Sequence, residues 1–112
     1  MAEMKLIADG LKFPEGPIAM PDGSIVLVEI AAGRPTRITP DGKKETIAEP
    51  GGGPNGAAIG PDGKCYVCNN GGFDWHDQDG LLIPGDIATD YSGGRIERID
   101  SRPARSMFFI RK

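Results

Sequence analysis

A repeat of about 40 residues constrains the fold of this chain more than any other feature of its sequence. The tripeptide Pro-Asp-Gly at residues 21–23 recurs at 61–63. At the same spacing, Pro-Glu-Gly at residues 14–16 is matched by Pro-Asn-Gly at 54–56. A period of about 40 residues built from short strands is typical of the blades of a β-propeller, which are four-stranded sheets around a central axis. The sequence therefore predicts an all-β chain made of about two blades.

Short strands fit between the turns of this repeat. Asp-Gly supplies the positive φ that a tight hairpin needs, and the run Ile25–Val28 is wholly apolar, as expected for a strand buried on both faces. No segment has a sustained 3.6-residue apolar period, so almost no helix is predicted. The predicted strands are 17–20, 24–29, 36–39 and 45–48 in the first unit, and 57–60, 64–69 and 95–100 in the second.

The second unit carries an insertion. Residues 95–100 match 34–39 at a spacing of 61 instead of 40, so about 21 residues, roughly 72–93, are added between two strands. Connections in an up-and-down blade alternate between its two ends. The Pro-Asp-Gly turns therefore mark one side of the disc, and the insertion shares the other side with Glu15 and Asn55. We predict one partial propeller domain over residues 1–112, with blade one at about 13–50 and blade two at about 53–112.

Composition and charge exclude several functions. The formal net charge is -3 and the pI is near 5.1, so no basic stripe is available for nucleic acid. No apolar run approaches the roughly 18 residues that a membrane span requires. The first residues include Glu3 and no apolar core of a signal peptide, so we predict a cytoplasmic protein with no membrane partner.

Three motifs carry a resemblance to a known family. Phe-Pro-Glu-Gly-Pro at residues 13–17, Gly-Pro-Asn-Gly at 53–56, and Gly-Gly-Arg-Ile-Glu-Arg-Ile-Asp at 93–100 resemble the senescence marker protein/gluconolactonase (regucalcin-like) family. The resemblance covers residues 5–100. It implies a six-bladed propeller with a divalent cation in its central channel, many members of which hydrolyse sugar lactones. Ca²⁺ is the first expectation for the cation, with Mg²⁺, Mn²⁺ or Zn²⁺ as alternatives.

The resemblance also implies roles for individual residues. Glu15 corresponds to a metal ligand, and Asn55 corresponds to a residue that contacts the metal or the bound substrate. The alternative for both is an ordinary turn residue. Some members carry an Arg two residues before the Asn, but Gly53 stands there, so that contact is not transferred. The remaining ligands and the general base are expected in blades that this chain does not contain.

The insertion contains Trp75 and His76, the only tryptophan and the only histidine of the chain. On a loop over a pocket, this pair could line the substrate site or form a lid. The alternative, which we favour, is a loop that folds its aromatic side chains onto the blades. The nearby Asp74, Asp77 and Asp79 lack the spacing of an EF-hand calcium loop.

The two cysteines have a spacing that is known from redox and zinc sites. Because side chains alternate along a strand, Cys65 and Cys68 point to opposite faces and can neither pair nor share a metal. We predict two free, buried structural thiols, which suit a reducing compartment.

Three functional readings remain at this point. The first is a fragment of a metal-dependent lactone hydrolase, and the second is a propeller that binds calcium and a small ligand without turnover. The third is an inactive truncated gene product, because the residues after Asp100 depart from the family pattern as a truncated or frame-shifted end would. Two blades leave open sheet edges, so we also predict self-association, weak metal binding and negligible hydrolysis by the isolated chain.

Overall fold

The computed structural model describes residues 2–100 and the backbone of 109–111. These residues form strands and turns and contain no helix, so none of them could cross a membrane as a helix. The strands are β1 (Pro14–Ala19), β2 (Ile25–Glu29), β3 (Arg34–Ile38), β4 (Lys44–Thr46), β5 (Pro54–Ile59), β6 (Cys65–Asn69), β7 (Phe73–Gln78), β8 (Leu81–Ile87), β9 (Arg95–Ile99) and β10 (Phe109–Arg111).

Two four-stranded antiparallel sheets make up the two blades. The first has the order β1-β2-β3-β4, and the second has the chain order β5, β6, β9, β10 across the sheet. The hairpin β7-β8 lies between β6 and β9 in the chain, at the place of the predicted insertion. The all-β fold of a partial β-propeller is therefore confirmed. The predicted truncated or frame-shifted end falls mainly on residues 101–108 and 112, outside the described residues.

The strand β10 was not predicted from the sequence. Its backbone pairs antiparallel with β9, with Phe109 opposite Ile99, and it supplies the fourth strand of the second blade. The preceding residues lack the Pro-Asp-Gly motif of the other blade turns, so the sequence contains no local indication of this strand.

The Pro-Asp-Gly turns form as predicted. The φ angles are 88° at Gly23, 88° at Gly42 and 77° at Gly63, a region in which only glycine is unstrained. The carboxylate of Asp22 accepts a hydrogen bond from the Ser24 N–H at 2.9 Å, which fixes the first turn from within.

The innermost strands begin earlier than predicted. β1 starts at Pro14 and β5 at Pro54, three residues before the predicted starts, so Glu15 and Asn55 lie within strands and not in the connections that precede them. Each strand has a register shift next to its polar residue, between Glu15 and Ile18 in β1 and between Pro54 and Gly56 in β5. A bulge of this kind lets a strand continue through a Gly-Pro-rich motif that otherwise indicates a turn.

The insertion is a β-hairpin and not the predicted loop. Its turn has φ 56° at Asp79 and 81° at Gly80, the two positive values of a type I′ turn. The Asp-Gly dipeptide at residues 79–80 is the sequence signal for this hairpin.

Each blade has two faces because side chains alternate along its strands. We call the face turned toward the following blade the forward face and the opposite one the rear face. Val26 and Val28 on the forward face of the first blade form one buried cluster with Cys65, Val67 and Ile99 on the rear face of the second. This cluster is the main apolar contact between the two blades, and it fixes their innermost strands side by side.

The cysteines follow the predicted alternation, but only one of them is buried. Both are free, and Cys65 is fully buried in the contact between the blades, whereas Cys68 is exposed on the forward face of the second blade. The prediction of two buried thiols is wrong for Cys68, because the described residues leave this face uncovered. Burial raises the pKa of Cys65 to about 11.

This difference predicts selective thiol chemistry. In a dilute solution of the native monomer, a maleimide should modify Cys68 within minutes and leave Cys65 unmodified, since Cys65 is both buried and protonated at neutral pH. Denaturant should expose the second thiol. Mass spectrometry of peptides after timed labelling measures both rates, and equal labelling of the two thiols in the native chain would contradict the packing of β6.

Candidate functional site

The segments that carry Glu15 and Asn55 lie side by side. β1 and β5 are in contact as the innermost strands of neighbouring blades. Gly16 lies at this contact, since a Cβ atom there would be 3.6 Å from the backbone of both Gly56 and Ala57. The structure therefore brings together the two motifs that the sequence singled out.

Both polar side chains at this place are exposed. The Glu15 carboxylate receives a long hydrogen bond of 3.4 Å from the Gly16 N–H, and the Asn55 side chain reaches solvent from the bulged part of β5. Carboxylate and amide oxygens are hard donors of the kind that Ca²⁺, Mg²⁺ and Mn²⁺ prefer.

The donor chemistry fits a divalent cation, but the number of donors is small. Ca²⁺ takes about six to eight oxygen ligands. Within the described ranges, no three His, Cys, Asp or Glu side chains lie close enough together to hold a metal. The described residues therefore offer only part of a coordination shell at this place.

Trp75 connects the hairpin to the Glu15 segment. Its ring lies 5.0 Å from the Phe13 ring, centroid to centroid, with the planes tilted by 51°, a favourable aromatic contact. Phe13 has φ 58°, an uncommon conformation for an aromatic residue, two positions before Glu15. This contact agrees with the interpretation in which the insertion folds its aromatic side chains onto the blades.

His76 takes a different position from its neighbour. It is exposed and packs within the hairpin over Gly85, where a Cβ atom would lie only 2.4 Å from the imidazole Nε2. The described contacts thus link Trp75, but not His76, to the Glu15 segment. The substrate-binding roles predicted for both residues remain predictions.

Sequence reasoning missed a buried polar cluster that anchors the entrance to each blade. We call it the entry clamp, and in the first blade it consists of Glu29, Arg34 and Thr36. The Glu29 carboxylate accepts hydrogen bonds from Arg34 Nε at 3.0 Å, from the Thr36 hydroxyl, and from the Lys12 N–H at 2.9 Å. Lys12 is three residues before Glu15, so this clamp holds the segment that leads into the candidate site.

The pKa of Glu29 reports on the clamp. Burial favours the neutral acid and would raise the pKa, but the hydrogen bonds from Arg34, Thr36 and the Lys12 N–H outweigh it and hold the pKa below its ordinary value. Glu29 is therefore an anion inside the blade at neutral pH.

The second blade has an equivalent clamp, in which the carboxylate lies on the neighbouring strand. Asn69 occupies the position of Glu29, and Glu97 occupies the position of Thr36. Arg95 Nε donates to Glu97 at 2.8 Å, Asn69 Nδ2 donates to Glu97 at 3.1 Å, and Asn69 Oδ1 accepts from the Gly53 N–H at 2.9 Å. Asn69 thus anchors the segment that leads to Asn55, as Glu29 anchors the one that leads to Glu15.

Asn69 of the clamp and its neighbour Asn70 lie close to the two glycines before Asn55. A Cβ atom at Gly53 would lie 2.2 Å from Asn70 Oδ1, and one at Gly52 would lie 2.4 Å from Asn69 Oδ1. Neither position accepts a side chain without a shift of these asparagines. An Arg at position 53 would therefore require the Asn70 side chain to move.

The fold and the paired entry motifs define a propeller protein of the gluconolactonase type. Residues 13–105 match the family described as SMP-30/Gluconolactonase/LRE-like region, so the chain belongs to this family. The family consists of gluconolactonase-like propellers that generally depend on a divalent metal. No curated protein matches the chain.

The lowered pKa of Glu29 predicts a defined dependence of stability on pH. A carboxyl group with a lower pKa in the folded state stabilises the fold above its unfolded-state pKa, and this contribution is lost as the pH falls through the folded-state pKa. The free energy of unfolding of the wild type should fall as the pH drops below 4.5, the ordinary pKa of the group. Glu29→Gln should have a lower free energy of unfolding at pH 7 and a smaller change in it between pH 7 and pH 3. Urea unfolding from pH 7 to pH 3 measures this. Equal slopes for wild type and Glu29→Gln, with exposed Glu3→Gln as control, would contradict the account.

The moved carboxylate predicts compensation between two substitutions. Glu97→Thr leaves the buried Arg95 without its carboxylate, and Asn69→Glu places a second carboxylate beside Glu97, so each should cost about 3–5 kcal/mol. The double variant recreates the pattern of the first blade and should recover at least about half of the summed loss. Denaturant unfolding of the four proteins gives the coupling energy, and additive losses would show that the two clamps are not equivalent.

Proposed function

We propose that this chain forms part of the active site of a divalent-cation-dependent lactone hydrolase. In this proposal Glu15 is a metal ligand, and Asn55 either ligates the metal or contacts the lactone. The observation that carries it is the placement of these two residues on the contacting innermost strands of adjacent blades, beside Gly16. Family membership supports the reaction class.

The chain's own residues would perform complementary tasks. Glu15 would supply a negative charge that holds the cation, and Asn55 would supply an amide whose N–H can donate to the lactone oxygens and whose oxygen can accept from the hydroxyls of the sugar. Phe13, two positions before Glu15 in the chain, packs against Trp75, and in this proposal their rings would offer an apolar surface for a sugar ring. A bound cation would polarise the lactone carbonyl and stabilise the developing oxyanion.

The proposal leaves the rest of the shell and the general base outside this chain. We expect weak binding of Ca²⁺, with Mg²⁺, Mn²⁺ and Zn²⁺ as alternatives, and negligible lactone hydrolysis by a single isolated chain. His76 belongs to the proposal only as a residue at the solvent side of the hairpin that could meet a bound lactone. The proposed setting is the cytoplasm, where free thiols such as Cys65 and Cys68 persist.

Trp75 provides a direct test of the metal site. Tb³⁺ replaces Ca²⁺ at oxygen-rich sites, and it luminesces when a nearby tryptophan transfers energy to it. Because Trp75 is the only tryptophan and contacts Phe13, excitation at tryptophan wavelengths should give Tb³⁺ emission that Ca²⁺ displaces. Glu15→Gln should weaken this binding at least about tenfold.

The control is Glu3→Gln, which makes the same chemical change at an exposed glutamate outside the site and should bind like wild type. Equal Tb³⁺ affinity in Glu15→Gln and wild type would refute the ligand role of Glu15.

The fluorescence of Trp75 tests the substrate role separately. Gluconolactone should change the emission of Trp75 in a saturable way, and Asn55→Ala should weaken this response at least about fivefold, the loss of about one hydrogen bond. If Asn55→Ala weakens Tb³⁺ binding instead, Asn55 is a metal ligand. An unchanged response to both probes would exclude Asn55 from the site.

A further inference from the structure

The forward face of the second blade is uncovered among the described residues. It presents Ala58, Cys68 and Ile96 to solvent, and the Ile96 side chain is 52% exposed. The corresponding residues in the first blade, at the repeat spacings, include Val28 and Pro35, which are fully buried. The same sheet surface is therefore covered in one blade and open in the other.

The chain contains a template for what covers such a face. The forward face of the first blade packs on the rear face of the second through Val26 and Val28 against Val67 and Ile99. The repeat places Leu27 and Ile38, on the rear face of the first blade, at the positions of Val67 and Ile99. Among the described residues, the forward face of the second blade is therefore open, and the rear face of the first blade is of the type that packs against it.

The rear face of the first blade is covered by the chain's own N-terminal segment, with Leu27 7% and Ile38 2% exposed, but the packing under that segment is incomplete. Residues 5–11 lie over Ile25, Leu27 and Ile38 and leave two cavities of about 410 and 250 Å³. Leu6 in this segment is 76% exposed, so its side chain contributes little to the cover. In the contact proposed below, a second sheet would take the place of this segment.

We propose that the forward face of the second blade binds the rear face of the first blade in a second copy of this chain. The contact continues the interface between the blades of one chain, with Ile96 and Cys68 in the positions of Pro35 and Val28. Polar groups border it on one side, where the Tyr66 hydroxyl donates to Asp62 at 2.7 Å.

Such a head-to-tail contact repeats from copy to copy and closes into a ring when the rotation allows. Propellers have typically four to eight blades, so two to four copies would close, and a six-bladed ring needs three. In a closed ring, each copy would add its Glu15 and Asn55 around one axis, which would supply the missing donors. This last consequence depends on the proposed function, but the assembly itself does not.

The first test measures the mass of the full chain without metal. Sedimentation velocity over a range of concentrations should show a closed species of two to four times 11.9 kDa, three being the expected number. Ile96→Glu should dissociate it to the monomer. The control Ile87→Glu changes an isoleucine of similar exposure, 64%, in the hairpin and should leave the mass unchanged.

A mixing experiment tests the head-to-tail geometry. Ile25→Lys blocks the rear face of the first blade and leaves the open forward face intact, whereas Ile96→Glu does the reverse. Each variant alone should be monomeric, and an equal mixture should form a heterodimer and nothing larger. Circular dichroism verifies that both variants keep the β-fold, and if Ile25→Lys unfolds, Pro17→Glu, at an exposed residue of the same rear face, replaces it.

Several results would overturn the proposal. A wild-type chain that is monomeric at all concentrations, with Cys68 labelled equally fast throughout, would mean that only further blades of a longer chain cover this face. Dimers of Ile25→Lys alone would show a symmetric contact between two forward faces. Glu15→Gln should retain the assembly, so loss of metal binding with unchanged mass would separate this proposal from the proposed function.

Discussion

A charge buried inside a sheet must be paired, and this requirement governs the geometry of both blades. Glu29 and Glu97 are about 1% exposed or less, and each is joined to an arginine of the same blade. Removing one member of such a pair leaves the other charge buried without compensation, at a cost of several kcal/mol. Because Glu29 and Asn69 also accept the N–H groups of Lys12 and Gly53, the pairing extends to the segments that enter the innermost strands. The positions of Glu15 and Asn55 therefore depend on interactions that lie behind them in the blade.

The two blades solve the same problem with different residues. In the first blade, the Glu29 carboxylate accepts hydrogen bonds from both the arginine and the Lys12 N–H of the entry segment. In the second blade, the Glu97 carboxylate accepts from Arg95. The Asn69 side chain accepts the Gly53 N–H through its oxygen and donates to Glu97 through its nitrogen. Arg95 Nη2 also donates to the Pro50 carbonyl at 3.1 Å, which ties the end of the first blade to the second. Each clamp needs an anion that pairs with the arginine and an acceptor for the backbone N–H of the entry segment. One residue can supply both, as in the first blade, or two residues on neighbouring strands can share them, as in the second.

The repeat explains why so much of the fold could be predicted from the sequence and why the rest could not. Turn chemistry is local, so the Pro-Asp-Gly motifs located the hairpins, and the change in spacing located the insertion. The hairpin at Asp79 and Gly80 also has a local signal, the Asp-Gly dipeptide, although a loop was predicted there. The exposure of Cys68 had no local sequence signal, because burial depends on the neighbouring blade. The clamp around Glu29 had none either, because the sequence of an apolar strand does not show which residue will pair with its one charged side chain. The contact of Trp75 with Phe13 joins residues 62 positions apart, and no spacing rule predicts it.

The central claim is that buried clamps fix the entry segments, and amide hydrogen exchange tests it most directly. Lys12 and Gly53 precede their strands, so without the clamp their N–H groups would exchange like those of any surface connection. The hydrogen bonds to Glu29 and Asn69 predict slow exchange for both, in the range of the central strand residues Val28 and Val67. Exchange as fast as that of the exposed residues 2–4 at the N-terminus would contradict the account.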